Sequence, residues 1–211
     1  MINEPTGADK ETSHATQSLK DWSQIELGEK LFSWRDYTPI PLIVIILFAA
    51  TPSVRTATIG TLVVIFGELI RIYAVAFIGP SSRTRNTETT GPAVVTDGPF
   101  GIVRNPLYVG NFFITFGFAV YSGKLWLIAL AVLLFAFQYY FIVKYEEKLL
   151  VDRFGPAYEE YRENVPAWLP ARLPSFNTLQ WPESFTTSLR SERRTLIAIA
   201  VMMAALAIVK G

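Results

Sequence analysis

Apolar residues in this chain come in blocks rather than in alternating stripes. Pro39 to Val54, Thr58 to Ile78, Leu107 to Tyr121, Leu125 to Val143 and Leu196 to Val209 are almost free of charge, and the stretches between them hold nearly all the acids and bases. A helix apolar on every side belongs in a bilayer or deep in a core. The blocks therefore predict an all-α, multi-pass membrane protein with about five transmembrane helices. At about 1.5 Å per residue the first block reaches roughly 24 Å, which calls for little tilt or a locally thinned bilayer, whereas the second matches the hydrocarbon thickness. Only Ser122-Gly123-Lys124 separates the third block from the fourth, so these two form an antiparallel hairpin. The fourth continues as a polar helix to Phe154, where Gly155-Pro156 ends it. Glycine accepts the left-handed terminus, and proline opens the next helix.

These blocks divide the chain into a polar tail (1–36), a core (37–170), a connector (171–194) and a final span (195–211). In the tail, Leu19, Trp22, Ile25, Leu31, Phe32 and Trp34 recur at partly helical spacing, which fits either a helix lying on the membrane surface or a disordered segment. The tail has no basic start followed by an apolar run and a small-residue cleavage site, so it is expected to stay on the protein. Fifteen of the 19 Lys and Arg residues fall in the tail, in the loop after the second block and between 144 and 194. Arg55, Lys124 and Lys210 lie on the other side. Since basic residues mark the cytoplasmic face, the tail, the loop and the region 144–194 are expected there, in a cytoplasmic or endoplasmic reticulum membrane.

Composition narrows the chemistry. Of 211 residues 51% are apolar and 18% charged, against about 25% charged in a typical soluble chain. Without cysteine there are no disulfides, thiolate nucleophiles or thiolate metal sites, and the single histidine, His14, sits in the polar tail. A net charge of +1 supplies no field for nucleic acid. Carboxylates, Arg, Tyr, Asn and backbone groups remain.

Three places gather them. Glu68 and Arg71 lie within a span, three residues apart, where they can pair on one helix face. The turn Thr96-Asp97-Gly98-Pro99-Phe100-Gly101 leads into Arg104-Asn105-Pro106-Leu107-Tyr108-Val109-Gly110, in which Pro106 suits the first helical residue and Asn105 its cap. A helix start with open N–H groups at the membrane boundary favours a carboxylate, although an ordinary capped helix has the same signature. Glu146 and Glu147, on the extension of the fourth block, point about 100° apart, so one can face a ligand while the other pairs or meets solvent.

In this order and spacing the pieces resemble the integral-membrane methyltransferases typified by isoprenylcysteine carboxyl methyltransferase, a pattern shared by phospholipid N-methyltransferases. The resemblance runs over roughly residues 60–170, through Arg71-x-x-Ala74, Thr96-x-Gly98-Pro99-Phe100, the Arg104 to Gly110 segment, and Glu146-Glu147 followed by Phe154-Gly155, Tyr158, Tyr161 and Val165-Pro166. It implies a cytoplasmic site for S-adenosylmethionine built from Gly98, Phe100, Arg104, Asn105, Pro106, Leu107, Tyr108, Gly110, Glu146 and Glu147. It also implies a lipid-like acceptor entering from the bilayer. Two positions depart from the family pattern: Asn105 stands where histidine is usual, and Phe100 where tyrosine is usual.

A carboxylate nucleophile needs no base at neutral pH, which suits a core without histidine and favours O-methylation of a lipid-linked carboxylate. Arg71, Arg83, Arg85 or Arg162 can hold that carboxylate, and Arg71, Glu147 and Arg162 are the candidate catalytic residues. An amine acceptor must first lose a proton to a glutamate, which keeps phospholipid or other amine N-methylation open. A membrane reductase of sterol-reductase type, using a nicotinamide cofactor, and a non-catalytic scaffold are the competing classes.

Overall fold

The computed structural model describes residues 22–78, 93–172, 180–182 and 185–210. His14, Arg83 and Arg85, with the first part of the tail and much of the connector, lie outside the described residues. Everything described is helix, turn or loop: α1 (22–34), α2 (Ile40–Ala49), α3 (Val54–Ile78), a 3-10 turn (Gly98–Gly101), α4 (Pro106–Tyr121), α5 (Leu125–Phe154), α6 (Pro156–Asn164) and α7 (Thr186–Lys210).

Helices α3 and α5 are long and apolar enough to cross a membrane, while α2 and α4 are shorter apolar helices. Thirty residues of α5 span about 45 Å, more than the roughly 30 Å of a bilayer's hydrocarbon core. The first apolar block is not one helix. Only ten residues, Ile40–Ala49, are helical, and the chain is extended at Ala50. Helix α3 then starts at Val54 rather than at Thr58 because Ser53 and Thr56 cap it reciprocally: Thr56 N–H donates to Ser53 Oγ at 3.2 Å, and Ser53 N–H to Thr56 Oγ1 at 2.9 Å. The expected stops are present. Gly155 ends α5 with φ +54°, and the α4–α5 turn holds Gly123 at φ +69°. The Thr51 N–H donates to the Ser122 carbonyl at 2.9 Å, fastening this turn to the α2–α3 link.

Helices α3 and α4 run antiparallel in the closest contact of the bundle, and two glycine pairs explain it. A Cβ placed on Gly60 would lie 2.6 Å from the Gly117 carbonyl oxygen, and one on Gly67 would lie 2.7 Å from that of Gly110. Both pairs repeat at a spacing of seven, two turns of helix, so the backbones touch along one seam. Small residues at such crossings gain dispersion contacts that lipid cannot supply.

At one end of the bundle, Leu42, Ile46, Val64, Phe118, Leu127 and Leu206 form an aliphatic core shared by α2, α3, α4, α5 and α7. At the other, Phe135, Tyr139 and Ile142 of α5 are buried against Leu31, Phe32, Tyr108, Phe112 and Trp168. The outward faces carry many large apolar side chains, including Phe48, Leu62, Phe66, Leu69, Leu133 and Phe137. A surface this apolar suits lipid. Trp22, Trp34 and Tyr37 are exposed around α1, the residue types that settle at a bilayer interface.

One open reading resolves and one expected boundary shifts. The stretch over 22–34 is a helix docked on α5: Gly28 sits directly on the backbone at Phe141, and Lys144 donates to Gln24. Helix α7 begins at Thr186, within the expected connector. Ser188 and Glu192, both fully buried, pull its charged first turns into the bundle.

Candidate functional site

The Gly98–Gly101 turn and the start of α4 sit beside the polar end of α5. Gly98 adopts φ +58°, and a Cβ there would lie 2.5 Å from the Phe77 ring, so only glycine fits. Its N–H donates to Gln180 Oε1 at 2.6 Å, while Tyr73 donates to the Gln180 carbonyl at 2.6 Å. Phe100 is buried, and its carbonyl accepts from the Tyr161 hydroxyl at 2.7 Å. Pro106 is fully buried as the first residue of α4. Asn105 occupies the cap position, but its side chain makes no cap bond. Its backbone carbonyl instead receives the Tyr108 and Val109 N–H groups, and its amide donates to the Ala167 carbonyl at 3.1 Å. The expected cap is thus a bridge to the segment after α6.

Arg104 ties that segment down. Its Nε and Nη2 donate to Glu147 Oε1 at 3.0 and 2.7 Å, and its Nη1 donates to the carbonyls of Arg162 and Val165 at 2.8 and 2.5 Å. Its own backbone N–H donates to the Pro166 carbonyl at 2.8 Å. A guanidinium has five N–H donors, and four are engaged. Arg162 enters through its carbonyl, and its side chain is exposed on α6. Beside the Arg104–Glu147 pair, burial pushes the Tyr158 hydroxyl well above the ordinary tyrosine range. Tyr161 is pushed up to about 12 by burial, with Arg104 opposing.

The two adjacent glutamates diverge as helical geometry requires: Glu147 meets Arg104, and Glu146 is hydrogen-bonded to Tyr108. Tyr108 leans on Tyr139 at 4.7 Å between ring centroids, Tyr139 stacks on Phe135 at 4.1 Å, and Trp168 meets Phe135 edge-on at 6.5 Å. An electron-rich aromatic wall therefore lies next to a carboxylate.

Deeper in the bundle is a second polar cluster. Arg71 Nε lies 3.6 Å from Glu68, its Nη2 donates to Glu192 Oε2 at 2.8 Å, and its Nη1 donates to Asn111. The Asn111 amide donates to the Tyr139 hydroxyl at 2.9 Å. Arg71 is thereby linked through Asn111 and Tyr139 to Tyr108 and Glu146. Gly110 belongs to this cluster by packing: a Cβ there would lie 2.5 Å from Arg71 Cγ. Leu107 is half-buried on α4. Asn111, Tyr139, Trp168 and Glu192 were not singled out by the sequence. Asn111 alone carried a signal, as an amide in an apolar block.

All this belongs to an all-helical protein with helices able to cross a membrane and polar groups turned inward. Residues 56–157 match the phospholipid methyltransferase family. It is 32% identical over 126 residues to the nickel-cobalt-cadmium resistance protein NccN of Alcaligenes xylosoxydans xylosoxydans, covering 60% of this chain and 54% of that protein. It is 31% identical over 117 residues to protein-S-isoprenylcysteine O-methyltransferase of Xenopus laevis, covering 54% and 40%. The Schizosaccharomyces pombe protein of the same name is 31% identical over 125 residues, covering 55% and 49%. The chain thus spans about half the length of the curated relatives it matches. No solved structure matches.

Proposed function

We propose that the protein is a membrane-embedded, S-adenosylmethionine-dependent methyltransferase that esterifies a carboxylate on a lipid-like, isoprenylcysteine-type acceptor. The observation that carries this reading is the unbroken path from Glu146 through Tyr108, Tyr139 and Asn111 to Arg71. It joins a water-facing end, where a soluble donor can be held, to a cation within the bilayer, where a greasy acceptor can be met. S-adenosylmethionine supplies a methyl group on a positively charged sulfur. Glu146 suits an ammonium or ribose hydroxyl, and the faces of Tyr108 and Tyr139 suit a sulfonium. Arg104 and Glu147 hold the 165–168 segment against the aromatic wall. A carboxylate needs no proton removed, so these residues contribute mainly alignment, which alone supplies a large part of such a rate.

One observation favours the amine alternative. Arg71 stands between two carboxylates, Glu68 and Glu192, and an acidic surrounding suits a cationic acceptor. Both readings are tested by incubating the purified protein with methyl-labelled S-adenosylmethionine and a lipid extract, then treating the product with base. Volatile labelled methanol marks an ester, and label retained in the lipid marks a methylated amine. No transfer to any lipid would refute both.

A further inference from the structure

A donor or acceptor that carries a carboxylate needs a cation with N–H bonds to offer; of the arginines named from the sequence, Arg71 and Arg104 are engaged, Arg162 is exposed on α6, and Arg83 and Arg85 lie outside the described residues. Arg104 spends four donors on Glu147 and backbone carbonyls. Arg71 is enclosed by Glu68, Glu192 and Asn111.

A third arginine reaches the same aromatic wall from outside the family-matched segment. Arg35, just beyond the end of α1, stacks its guanidinium 3.9 Å from the centroid of Phe32, which packs against the Phe135–Tyr139 cluster and tilts against Tyr145 at 5.7 Å. Its charge acts on Tyr108, Tyr139 and Glu146, the groups that line the junction between the two polar clusters. Its Nη1 is buried and meets no hydrogen-bond acceptor among the described residues. A buried charged donor left without an acceptor loses hydration and gains nothing in return. Stacking on Phe32 fixes the plane of the guanidinium. A planar fork held this way matches the two oxygens of a carboxylate.

We infer that Arg35, brought to the site by the N-terminal helix, is the anchor for a ligand carboxylate, with Glu146 facing the opposite charge. The inference rests on the methyltransferase reading and adds to it a residue from a segment outside the family match. The carboxylate has two possible sources: the amino-acid end of the methyl donor, whose ammonium would then face Glu146, or the acceptor.

The test uses the full chain in nanodiscs, as wild type, Arg35→Ala, Arg35→Gln and Arg35→Lys, each checked for a wild-type thermal transition. Arg35→Gln keeps the first carbons of the side chain and a polar end while removing the charge, which covers the case in which alanine disturbs α1. Calorimetry gives the Kd for S-adenosylhomocysteine, and methyl transfer to an N-acetylated prenylcysteine gives its KM. A rise in Kd of tenfold or more in the Gln variant, restored only in part by Lys, which keeps the charge but not the planar fork, assigns the anchor to the donor. An unchanged Kd with a tenfold rise in KM assigns it to the acceptor. Unchanged Kd and KM in folded Ala and Gln variants overturn the anchor while leaving the methyltransferase reading intact. A wild type that neither binds S-adenosylhomocysteine nor transfers methyl overturns that reading and the anchor with it.

Discussion

Arg71 and Arg104 each meet a glutamate at near-ideal distance, 2.8 Å and 2.7 Å, yet the clusters around them are built differently. The Arg71 cluster draws side chains from three helices, α3, α4 and α7, and balances two carboxylates with one cation inside the bundle. The Arg104 cluster has one carboxylate, and its other acceptors are main-chain carbonyls in the last turn of a short helix and just past it. The first fixes helices to one another. The second fixes a loop to a helix. Charge buried between helices is costly to leave unpaired, so it locks the bundle, whereas a guanidinium bound to main-chain carbonyls holds a loop in place at lower stake.

The contrast can be broken most forcefully at Arg71. Replacing it with Met removes the cation between Glu68 and Glu192, and a loss of about 3–5 kcal/mol is expected, read as a large fall in the unfolding midpoint in detergent. A midpoint within 2 °C or so of wild type would show that the two acids are not held against each other as described. Next in size is Gly67→Ala, whose methyl would sit 2.7 Å from the Gly110 carbonyl oxygen. Such overpacking costs about 1–3 kcal/mol, and the Arg104 cluster should be untouched, with binding of S-adenosylhomocysteine altered less than stability.

Arg104→Ala should do the reverse. Losing the charged bonds to Glu147 costs about 1.5–3 kcal/mol, expressed as faster hydrogen exchange over 165–168 and at least tenfold weaker binding of S-adenosylhomocysteine, with little change in the apolar core. Smallest is Tyr161→Phe, which removes one neutral bond to the Phe100 carbonyl, about 0.5–1.5 kcal/mol. The same bond should fail at alkaline pH. Because Tyr161 is pushed up to about 12, above its ordinary value near 10, the folded state favours the protonated hydroxyl. Its contribution is complete below about pH 10 and fades as the pH climbs toward 12. A Phe variant whose stability shows the same alkaline decline as wild type would remove Tyr161 from that account.

Much of this architecture was legible in advance, because apolar runs, Gly-Pro stops and a three-residue hairpin act locally. The helices α4 and α5, the turn at Gly123 and the break at Gly155 follow from those signals. So did the divergence of Glu146 from Glu147, which needs only the pitch of a helix. The rest depended on which helices meet. Glu192 reads as one charge in a basic connector, and nothing near it in sequence indicates Arg71. The Gly60–Gly117 and Gly67–Gly110 pairs are visible as a spacing of seven, but a repeat gains meaning only when its partner helix is known. Asn105 shows how local logic can mislead: a residue suited to capping its own helix turns to Ala167 because the chain after α6 comes close enough to offer a carbonyl.

Gly110 lies against two things at once, the Gly67 backbone and the first carbons of the Arg71 side chain. The point that sets the separation of two helices is therefore also the pivot from which the buried guanidinium is aimed. A single added methyl at that pivot would wedge the helices apart and swing the cation together, so the bundle's spacing and its charge geometry are mechanically one adjustment.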